Sequence, residues 1–495
     1  MSNLPVILSD VMNLNQQLDY LFNPRSVAVI GASGNMVKWG FHILNLLLVK
    51  GGREIYAVNK NEADVLGLKT YRSVKDVPGP VDLAVITVVY RDIPAVMEDC
   101  VQKGVKGAVI ISGGLAETGE AGAGIERQVV EIARRGGMRL VGPNCMGHFD
   151  TNSGLYTVPY LPPSNKGYLS LIAQSGNASQ AIVHAASERG LGFSKYISSG
   201  NEADLHFEDY LEYLAQDEQT KIILGYVEGF REGRRFFELA KEITRKKPVV
   251  ILKAGRTEAG KRAAQSHTAS LAGSDTICEA AFKQCGVIRV DDISELIDVV
   301  LALAGQPLPR GRRVAVFSTG GGPAVMAADA LTGHGLELPK LSPKTMDKLN
   351  ATFTPRWSRN NPIESGGDPF DHPCLWAVLE DDNIDAALVI NAVAVARNYA
   401  WWVQMPPSLD GAIEQYIEDE EKTEVEHIEN LLDLMNKYQK PVMIANIGIP
   451  SVKEGAVYDK LEQSNLVPYL TQERAARALA RLVEYSEYLG IARGN

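Results

Sequence analysis

Short apolar runs rich in β-branched residues alternate along the chain with longer stretches whose apolar residues recur at helical spacing. The first series contains the runs SVAVIGAS, EIYAVN, VDLAVITV, KGAVIIS and MRLVGPN, separated by helix-like stretches such as IPAVMEDCVQKG. Continuous apolar strands that alternate with helices are typical of a parallel, doubly wound sheet. This block fills roughly residues 20–150, and we assign residues 1–155 to a first domain.

Two further series repeat this alternation. After the Pro-rich stretch at 157–167, YLSLIAQSG, FSKYISSGN, KIILGYVEGF and PVVILKAG predict the strands of a second domain at 165–305. After GQPLPRGRR, the runs RVAVFSTGGGPAVMAADAL, IDAALVINAV and PVMIANIG predict a third domain at 311–490. The acidic stretch IEQYIEDEEKTEVEHIEN between the last two runs is typical of a solvated helical face. The pattern therefore predicts an α/β protein of three domains.

Composition narrows the class of protein. The 495 residues are 45% hydrophobic and 22% charged, which is ordinary for a globular protein. The sequence lacks a signal peptide and a run of about 18 apolar residues, so we expect no membrane span. Five scattered cysteines form neither a metal cluster nor a disulfide framework, which indicates a reducing cytoplasm. The net charge of −10 argues against nucleic acid as a partner.

The first candidate site is a glycine turn, GASGNMVKWG, at residues 31–40. It lies between a predicted strand and a predicted helix, where free backbone N–H groups attract anions. Gly31 and Gly34 would let the backbone approach a ligand closely, so a nucleotide-type ligand is expected. The alternative is a tight turn that binds nothing. The spacing does not match GxGxxG, which disfavours ordinary dinucleotide binding.

Three more glycine turns follow strands. GPNCMG at 142–147 contains Cys145, which is either a reactive thiol or a small buried residue. AQSGN at 173–177 and STGGGP at 318–323 each precede a predicted helix. Successive glycines cost backbone entropy, so they suit an oxyanion or phosphate better than they suit local stability. Two helix N-termini from different domains are therefore candidates to face one phosphate.

The most informative segment is KAGRTEAGKRAAQSHTASLAGS at 253–274. A histidine in a polar loop is usually only solvated, but an imidazole can also accept and release a phosphoryl group. His267 would need a partner for its second ring nitrogen. Glu228 in GYVEGF ends an earlier strand, so a parallel sheet would bring it to the same edge. The alternative for Glu228 is a carboxylate that only starts a helix.

Taken together, these motifs resemble the alpha subunits of ADP-forming acetyl-CoA synthetases and, more distantly, the alpha subunit of succinyl-CoA synthetase. The resemblance runs from about Leu21 to about Gly490, and SHTASLAGSD followed by AFKQCGVIRVDD is similar to the phosphohistidine segment of the family. It implies a Rossmann-like CoA-binding domain followed by two flavodoxin-like, succinyl-CoA-synthetase-type domains. The chain departs from the family at Ala269, where glycine is frequent, and at Glu364, where aspartate is common.

The resemblance also implies a reversible reaction in which acyl-CoA, phosphate and ADP give a carboxylic acid, ATP and CoA. The intermediates would be an acyl phosphate and a phosphohistidine at His267, with Glu228 as its support. The implied CoA contacts are Gly31, Ser33, Gly34, Lys38, Asn144 and Cys145. The implied phosphate contacts are Ser175, Gly176, Gly320, Gly321 and Gly322. No ATP-grasp portion is evident, so a separate beta subunit would hold ADP or ATP with Mg²⁺, as part of a heterotetramer.

Two other functions compete with this one. A CoA-binding regulatory or acetylation-related scaffold would keep the fold without the chemistry, but the presence of both His267 and Glu228 disfavours it. A Rossmann-type oxidoreductase would need a different turn spacing and a clear acidic residue after the second strand. The sequence leaves the carboxylic acid open.

Overall fold

The computed structural model describes residues 14–160, 165–262, 274–366, 372–391, 393, 410–446 and 455–492. Contacts within the chain divide it into two compact units, Met1–Val290 and Asp291–Asn495. The first unit contains two seven-stranded sheets and the second contains one four-stranded sheet. All three sheets are mainly or wholly parallel, which confirms the predicted α/β class.

The first sheet has the strand order β3-β4-β2-β1-β5-β6-β7, and only β3 pairs antiparallel with its neighbour. Its strands are β1 (Ser26–Ile30), β2 (Glu54–Val58), β3 (Asp64–Val65), β4 (Leu68–Tyr71), β5 (Leu83–Ile86), β6 (Gly107–Ile110) and β7 (Arg139–Val141). The helices are α1 (Leu14–Phe22), α2 (Trp39–Lys50), α3 (Ile93–Lys103) and α4 (Glu120–Arg135), with short 3-10 turns at Val74–Asp76, Tyr90–Asp92 and Ala116–Thr118. Every residue of β1, β5 and β6 is buried, because helices cover both faces.

The second sheet has the order β14-β13-β12-β10-β11-β8-β9. Its strands are β8 (His148–Asp150), β9 (Leu155–Tyr156), β10 (Lys166–Ala173), β11 (Phe193–Ser198), β12 (Ile222–Val227), β13 (Val249–Lys253) and β14 (Ile288–Val290). The helices are α5 (Gly176–Ser187), α6 (Phe207–Gln216), α7 (Gly233–Ile243) and α8 (Asp275–Cys285). The hairpin β8–β9 pairs antiparallel with β11, so residues 148–156 extend this sheet rather than the first.

Aromatic and polar contacts fasten this hairpin and helix α1 to the second sheet. The Phe149 ring stacks on Tyr196 of β11 with centroids 5.0 Å apart. The Lys195 ammonium, which is buried, lies 3.2 Å from the Asp150 carboxylate. The Nε2 atom of the fully buried His148 lies 2.7 Å from the Leu21 carbonyl oxygen of α1. The two sheets of the first unit therefore share one hydrophobic core.

The second unit is built on the parallel sheet β16-β15-β17-β18. The strands are β15 (Val314–Ser318), β16 (Ile363–Glu364), β17 (Ala386–Ile390) and β18 (Val442–Ala445). The helices are α9 (Ile293–Gly305), α10 (Gly321–Gly333), α11 (Pro343–Thr352), α12 (His372–Leu379), α13 (Asp410–Tyr438), α14 (Ala456–Gln463) and α15 (Gln472–Tyr488). Helix α9 packs on α15, where Arg474 donates two hydrogen bonds of 2.7 and 2.8 Å to the buried Asp298 carboxylate.

The acidic stretch forms α13, as predicted, with an exposed charged face and a buried apolar face. In the part of the chain that the structure describes, none of the helices is long and apolar enough to cross a membrane.

Candidate functional site

The glycine turn after β1 depends on a close approach between two glycines. The Gly31 backbone has a φ of +98°, and a methyl group on Gly40 would lie only 2.0 Å from the Gly31 carbonyl oxygen. The hydroxyl of Thr87 donates to the same oxygen at 3.2 Å. Gly40 thus lets the start of α2 touch the end of β1, the role of the last glycine in a dinucleotide-binding turn. Gly40 was not among the predicted site residues, although a glycine beside Trp39 at the start of an apolar helix was a usable signal.

A carboxylate holds the tip of this turn. Ser33 Oγ donates to Glu62 Oε1 at 2.9 Å, and the Gly34 N–H donates to Glu62 Oε2 at 2.8 Å. Asn59 Nδ2 donates to the Ala32 carbonyl oxygen at 2.6 Å and also to Glu62 Oε1 at 3.1 Å. The hydrogen bonds from Gly34 and Ser33 lower the pKa of Glu62. The sequence did not single out Glu62, whose position after β2 was the only signal.

A cavity of 520 Å³ opens beside the turn. Its lining includes Gly31, Ser33 and Lys38, three of the residues expected to contact CoA. Its charged lining consists of three cations, Lys38, Lys60 and Arg72, and two carboxylates, Asp92 and Asp99, so positive charge is in excess by one. Positive charge and neutral backbone donors in one wall suit an anionic nucleotide.

A second cavity, of 340 Å³, lies where the strands of both sheets in the first unit end. Four of the predicted residues, Asn144, Cys145, Ser175 and Gly176, line it together, although two separate turns supply them. Trp39 and Thr87 line both cavities and therefore form a shared wall between them. The sequence reasoning had not identified either of these wall residues.

The turn with Asn144 and Cys145 supplies one polar side chain and one inert thiol. Asn144 has a φ of +56°, and its Nδ2 donates to Asn201 Oδ1 at 3.2 Å. Cys145 is 4% exposed and its Sγ lies 3.3 Å from the Ile110 carbonyl oxygen. Burial raises the pKa of the Cys145 thiol to about 12. A thiol that stays protonated is a poor nucleophile, so the buried small residue is the better interpretation.

The N-terminus of α5 points its free backbone donors at the second cavity. Ser175 is the N-cap residue, and its Oγ accepts the Ala178 N–H at 3.4 Å. Gly176 begins the helix, and a methyl group there would lie 2.1 Å from Met146 Cγ. The remaining N–H groups of the first turn carry partial positive charge, which favours a bound anion.

Glu228 follows β12 at the edge of the second sheet and is 6% exposed. Its N–H donates to Gln174 Oε1 at 2.6 Å, and its carbonyl oxygen accepts from Lys253 Nζ at 2.8 Å. Lys253 ends β13, and burial lowers its pKa. The Lys253 hydrogen bond thus joins the carboxyl ends of β12 and β13, the two strands that precede the histidine segment. His267 lies in 263–273, outside the described residues, so its pairing with Glu228 stays a prediction.

The glycine run of the second unit also begins a helix. Gly320 is the N-cap residue of α10, and Gly321 and Gly322 are its first residues. A methyl group on Gly321 would lie 3.0 Å from Glu364 Oε2, so a carboxylate stands beside this helix start. That the two helix starts face one phosphate stays a prediction. Among the described residues, no group of three or more His, Cys, Asp or Glu side chains could hold a metal ion.

Comparison with known families identifies the class. Residues 25–149 match the model of a CoA binding domain, and residues 166–303 match that of a succinyl-CoA ligase like flavodoxin domain. Such a pairing defines a CoA-binding protein of the acid–thiol ligase class. The chain belongs to the family of the alpha subunits of ADP-forming acetate–CoA ligases, as the sequence predicted. It is 39% identical to the Pyrococcus furiosus "Acetate--CoA ligase [ADP-forming] II subunit alpha", over 96% of this chain and 99% of that protein.

Two other relatives extend the comparison. The chain is 37% identical to the "Acetate--CoA ligase [ADP-forming]" of Methanocaldococcus jannaschii, over 95% of its own length but only 63% of that longer protein. Among solved structures it is similar to the dinucleotide-forming acetyl-coenzyme A synthetase 1 of Ca. Korarchaeum cryptofilum in complex with phosphate and ADP. That match has a TM-score of 0.80 and 31% identity, and covers 96% of this chain and 98% of that one. The predicted succession of a CoA-binding domain and flavodoxin-like domains is confirmed.

Proposed function

We propose that this chain is the CoA-binding, phosphohistidine-carrying subunit of a nucleoside-diphosphate-forming acyl-CoA synthetase. The observation that carries the proposal is the pair of cavities that share Trp39 and Thr87. The cationic first cavity has the chemistry for the nucleotide of CoA. The second cavity, at the N-terminus of α5, offers backbone N–H donors that suit a phosphate reacting with a thioester. An extended CoA molecule that passes the shared wall would reach both.

The first step joins phosphate to the acyl group. A phosphate oxygen attacks the thioester carbonyl carbon, the carbon–sulfur bond breaks, and CoA leaves as the thiolate. The N–H groups that follow Ser175 and Gly176 stabilise the phosphate and the developing negative charge. Asn144, whose amide is oriented by Asn201, is the nearby neutral polar group. The products of this step are an acyl phosphate and CoA.

The second step moves the phosphoryl group onto the protein. His267 attacks the phosphorus of the acyl phosphate, the bond from phosphorus to the acyl oxygen breaks, and the carboxylic acid leaves as its anion. Glu228 holds the other ring nitrogen and stabilises the charge on the imidazole. The helix start at Gly320, Gly321 and Gly322 in the second unit is a further set of backbone donors that we propose for phosphate. All steps are reversible, so the chain also serves acyl-CoA synthesis.

The last step needs a nucleotide, which we propose is held by a partner. The Pyrococcus furiosus relative is named a subunit alpha, and the Methanocaldococcus jannaschii relative contains a further third of its length beyond the match. We propose an ATP-grasp beta subunit that binds ADP or ATP with Mg²⁺, in a cytoplasmic heterotetramer. We propose that Mg²⁺ enters with the nucleotide on the partner, because proteins usually hold Mg²⁺ through carboxylates together with substrate phosphates.

The proposal is tested by phosphorylation. The protein is incubated with labelled phosphate and a panel of acyl-CoAs that includes acetyl-CoA, and acid-labile, base-stable label is measured. We expect label in the natural protein and in His184→Ala, an exposed histidine on α5 that pairs with Glu188, and none in His267→Ala. Label that persists in His267→Ala contradicts the mechanism. No label with any acyl-CoA favours the scaffold, and a nicotinamide-dependent absorbance change favours the oxidoreductase.

A further inference from the structure

A buried carboxylate lies directly behind the second cavity. Glu202 follows β11, is 3% exposed and has a φ of +53°, a backbone conformation that a glutamate rarely adopts. Its Oε1 accepts from Ser199 Oγ at 2.8 Å, and its Oε2 accepts from Gln174 Nε2 at 3.0 Å. Burying a carboxyl group in a left-handed residue is costly. This cost indicates that Glu202 has a functional role at the second cavity.

Gln174 connects Glu202 to the backbone of Glu228. The Oε1 atom of Gln174 accepts the N–H groups of Glu228 and Gly229 at 2.6 and 3.2 Å. Two backbone donors on one side fix the amide oxygen there, so the amide nitrogen must face the other way. That nitrogen donates to the Gly229 carbonyl oxygen at 2.7 Å and to Glu202. The amide of Gln174 is thus held at both ends.

Gln174 is also the residue immediately before Ser175, the N-cap of α5. It lines the second cavity together with Asn201, the residue before Glu202. The Arg231 guanidinium donates to the Asn201 carbonyl oxygen at 2.9 Å. One short network therefore joins the cavity wall, the helix start and the Glu228 turn.

We infer that Glu202 is a positioning residue for phosphoryl transfer, which acts through Gln174 to hold the Glu228 turn and the start of α5 in register. The inference rests on the function proposed above. Without the Glu202 carboxyl group, Gln174 keeps its hydrogen bonds to Glu228 and Gly229 but loses the one that ties it to the end of β11. The Glu228 backbone and the Ser175 N-cap would then be held less firmly relative to each other.

The protonation state of Glu202 gives this role a measurable signature. Burial raises the pKa of Glu202 to a net value of about 8, with a further upward contribution from Glu208 and opposing contributions from Ser199, Gln174 and Arg231. Tyr210 is the other titratable group that faces it. The neutral form has a hydrogen-bond partner as well, because Glu202 can donate to Ser199 Oγ, which lies 3.3 Å from the Ala173 carbonyl oxygen. Glutamine at this position would imitate the neutral form.

The test measures single-turnover labelling of the full-length protein, using labelled phosphate and the most active acyl-CoA of the panel. We expect Glu202→Ala to slow labelling about tenfold, the effect of losing one buried hydrogen bond, while the CoA dissociation constant stays within about twofold. The labelling rate of the natural protein should fall as the pH rises through about 8, because ionisation removes the proton that Glu202 donates to Ser199 Oγ and puts a charge into a buried site. Glu202→Gln should keep the rate and lose that pH dependence. Glu218→Gln, at an exposed position just after α6, is the matched control.

The outcomes separate this inference from the proposed function. An unlabelled natural protein would overturn both. A natural protein that is labelled, with Glu202→Ala labelled at the same rate, would overturn the inference alone. If Glu202→Ala fails to fold, Glu202→Gln decides: a fall in rate near pH 8 that remains in this variant contradicts the role, and its loss supports it.

Discussion

Substitution of Gly40 by alanine is expected to disable CoA binding through a single backbone contact. The added methyl group would lie 2.0 Å from the Gly31 carbonyl oxygen, about 1.5 Å closer than the roughly 3.5 Å at which non-bonded atoms pack best. It would also lie 3.1 Å from Thr87 Oγ1. Because the obstructing atom belongs to the backbone, a rotamer change cannot relieve the overlap. The start of α2 must move away from β1, at a cost of about 1–3 kcal/mol or more.

Two measurements follow this substitution. Urea unfolding should show a loss of at least about 1–3 kcal/mol in the free energy of unfolding. Titration calorimetry with CoA should show an affinity loss of about tenfold or more, since a shift of about 1 Å at a positioned site has such effects. Gly233→Ala is the matched control, because Gly233 begins α7 and a methyl group there meets no atom within 4 Å. It should leave CoA affinity unchanged and the stability equal or slightly greater.

The result that would refute this reasoning is a Gly40→Ala protein with the unfolding midpoint and CoA affinity of the natural chain. A loss of stability without any loss of affinity would limit Gly40 to packing. In that case the turn would not be the anchor of the CoA nucleotide.

Two other expectations concern buried titratable groups. Burial lowers the pKa of His148 from 6.5 to about 4, so the folded state binds fewer protons than the unfolded state between these values. Its contribution to the free energy of unfolding is complete above pH 6.5 and decreases by about 3 kcal/mol as the pH falls toward 4. Urea unfolding between pH 7 and 4 should show a flatter pH dependence in His148→Gln. Cys145 should resist iodoacetamide at pH 8 in the native protein, and Cys145→Ala should bind CoA with unchanged affinity. Rapid alkylation of Cys145, detected by mass spectrometry, would show instead that it is a reactive thiol.

Sequence patterns were sufficient to predict the longer buried strands and the turns that follow them, but not the short strands β3, β4, β8, β9, β14 and β16. The strands β1, β5 and β6 are buried along their whole length, which is why they appear as unbroken apolar runs. Parallel strands end at one edge of a sheet, so residues that follow different strands were expected to meet. Gln174 and Glu228, which follow neighbouring strands of the second sheet, do meet, whereas Asn144 and Ser175 line one cavity although they follow strands of different sheets.

Contacts between side chains distant in sequence could not be predicted. Glu62 reaches back 28 residues to hold the Gly34 N–H, and nothing in NKNEAD distinguishes it from a solvated glutamate. Gln174 bridges Glu202 and Glu228, three residues that belong to three strand ends. Local propensity carries no information on such networks, because they exist only after the sheet has brought its strand ends together.

The hairpin β8–β9 has a consequence for how the chain can be divided. It covers the edge of β11 in the second sheet, although it comes directly after the last strand of the first. A fragment that starts at residue 165 would leave unpaired the N–H and C=O groups of β11 that face β8, and such an open edge invites strand addition and aggregation. A fragment that ends at 155 would cut β9 after its first residue and leave β8 without β11. Stable fragments of the first unit are therefore expected to retain the hairpin together with β10 and β11.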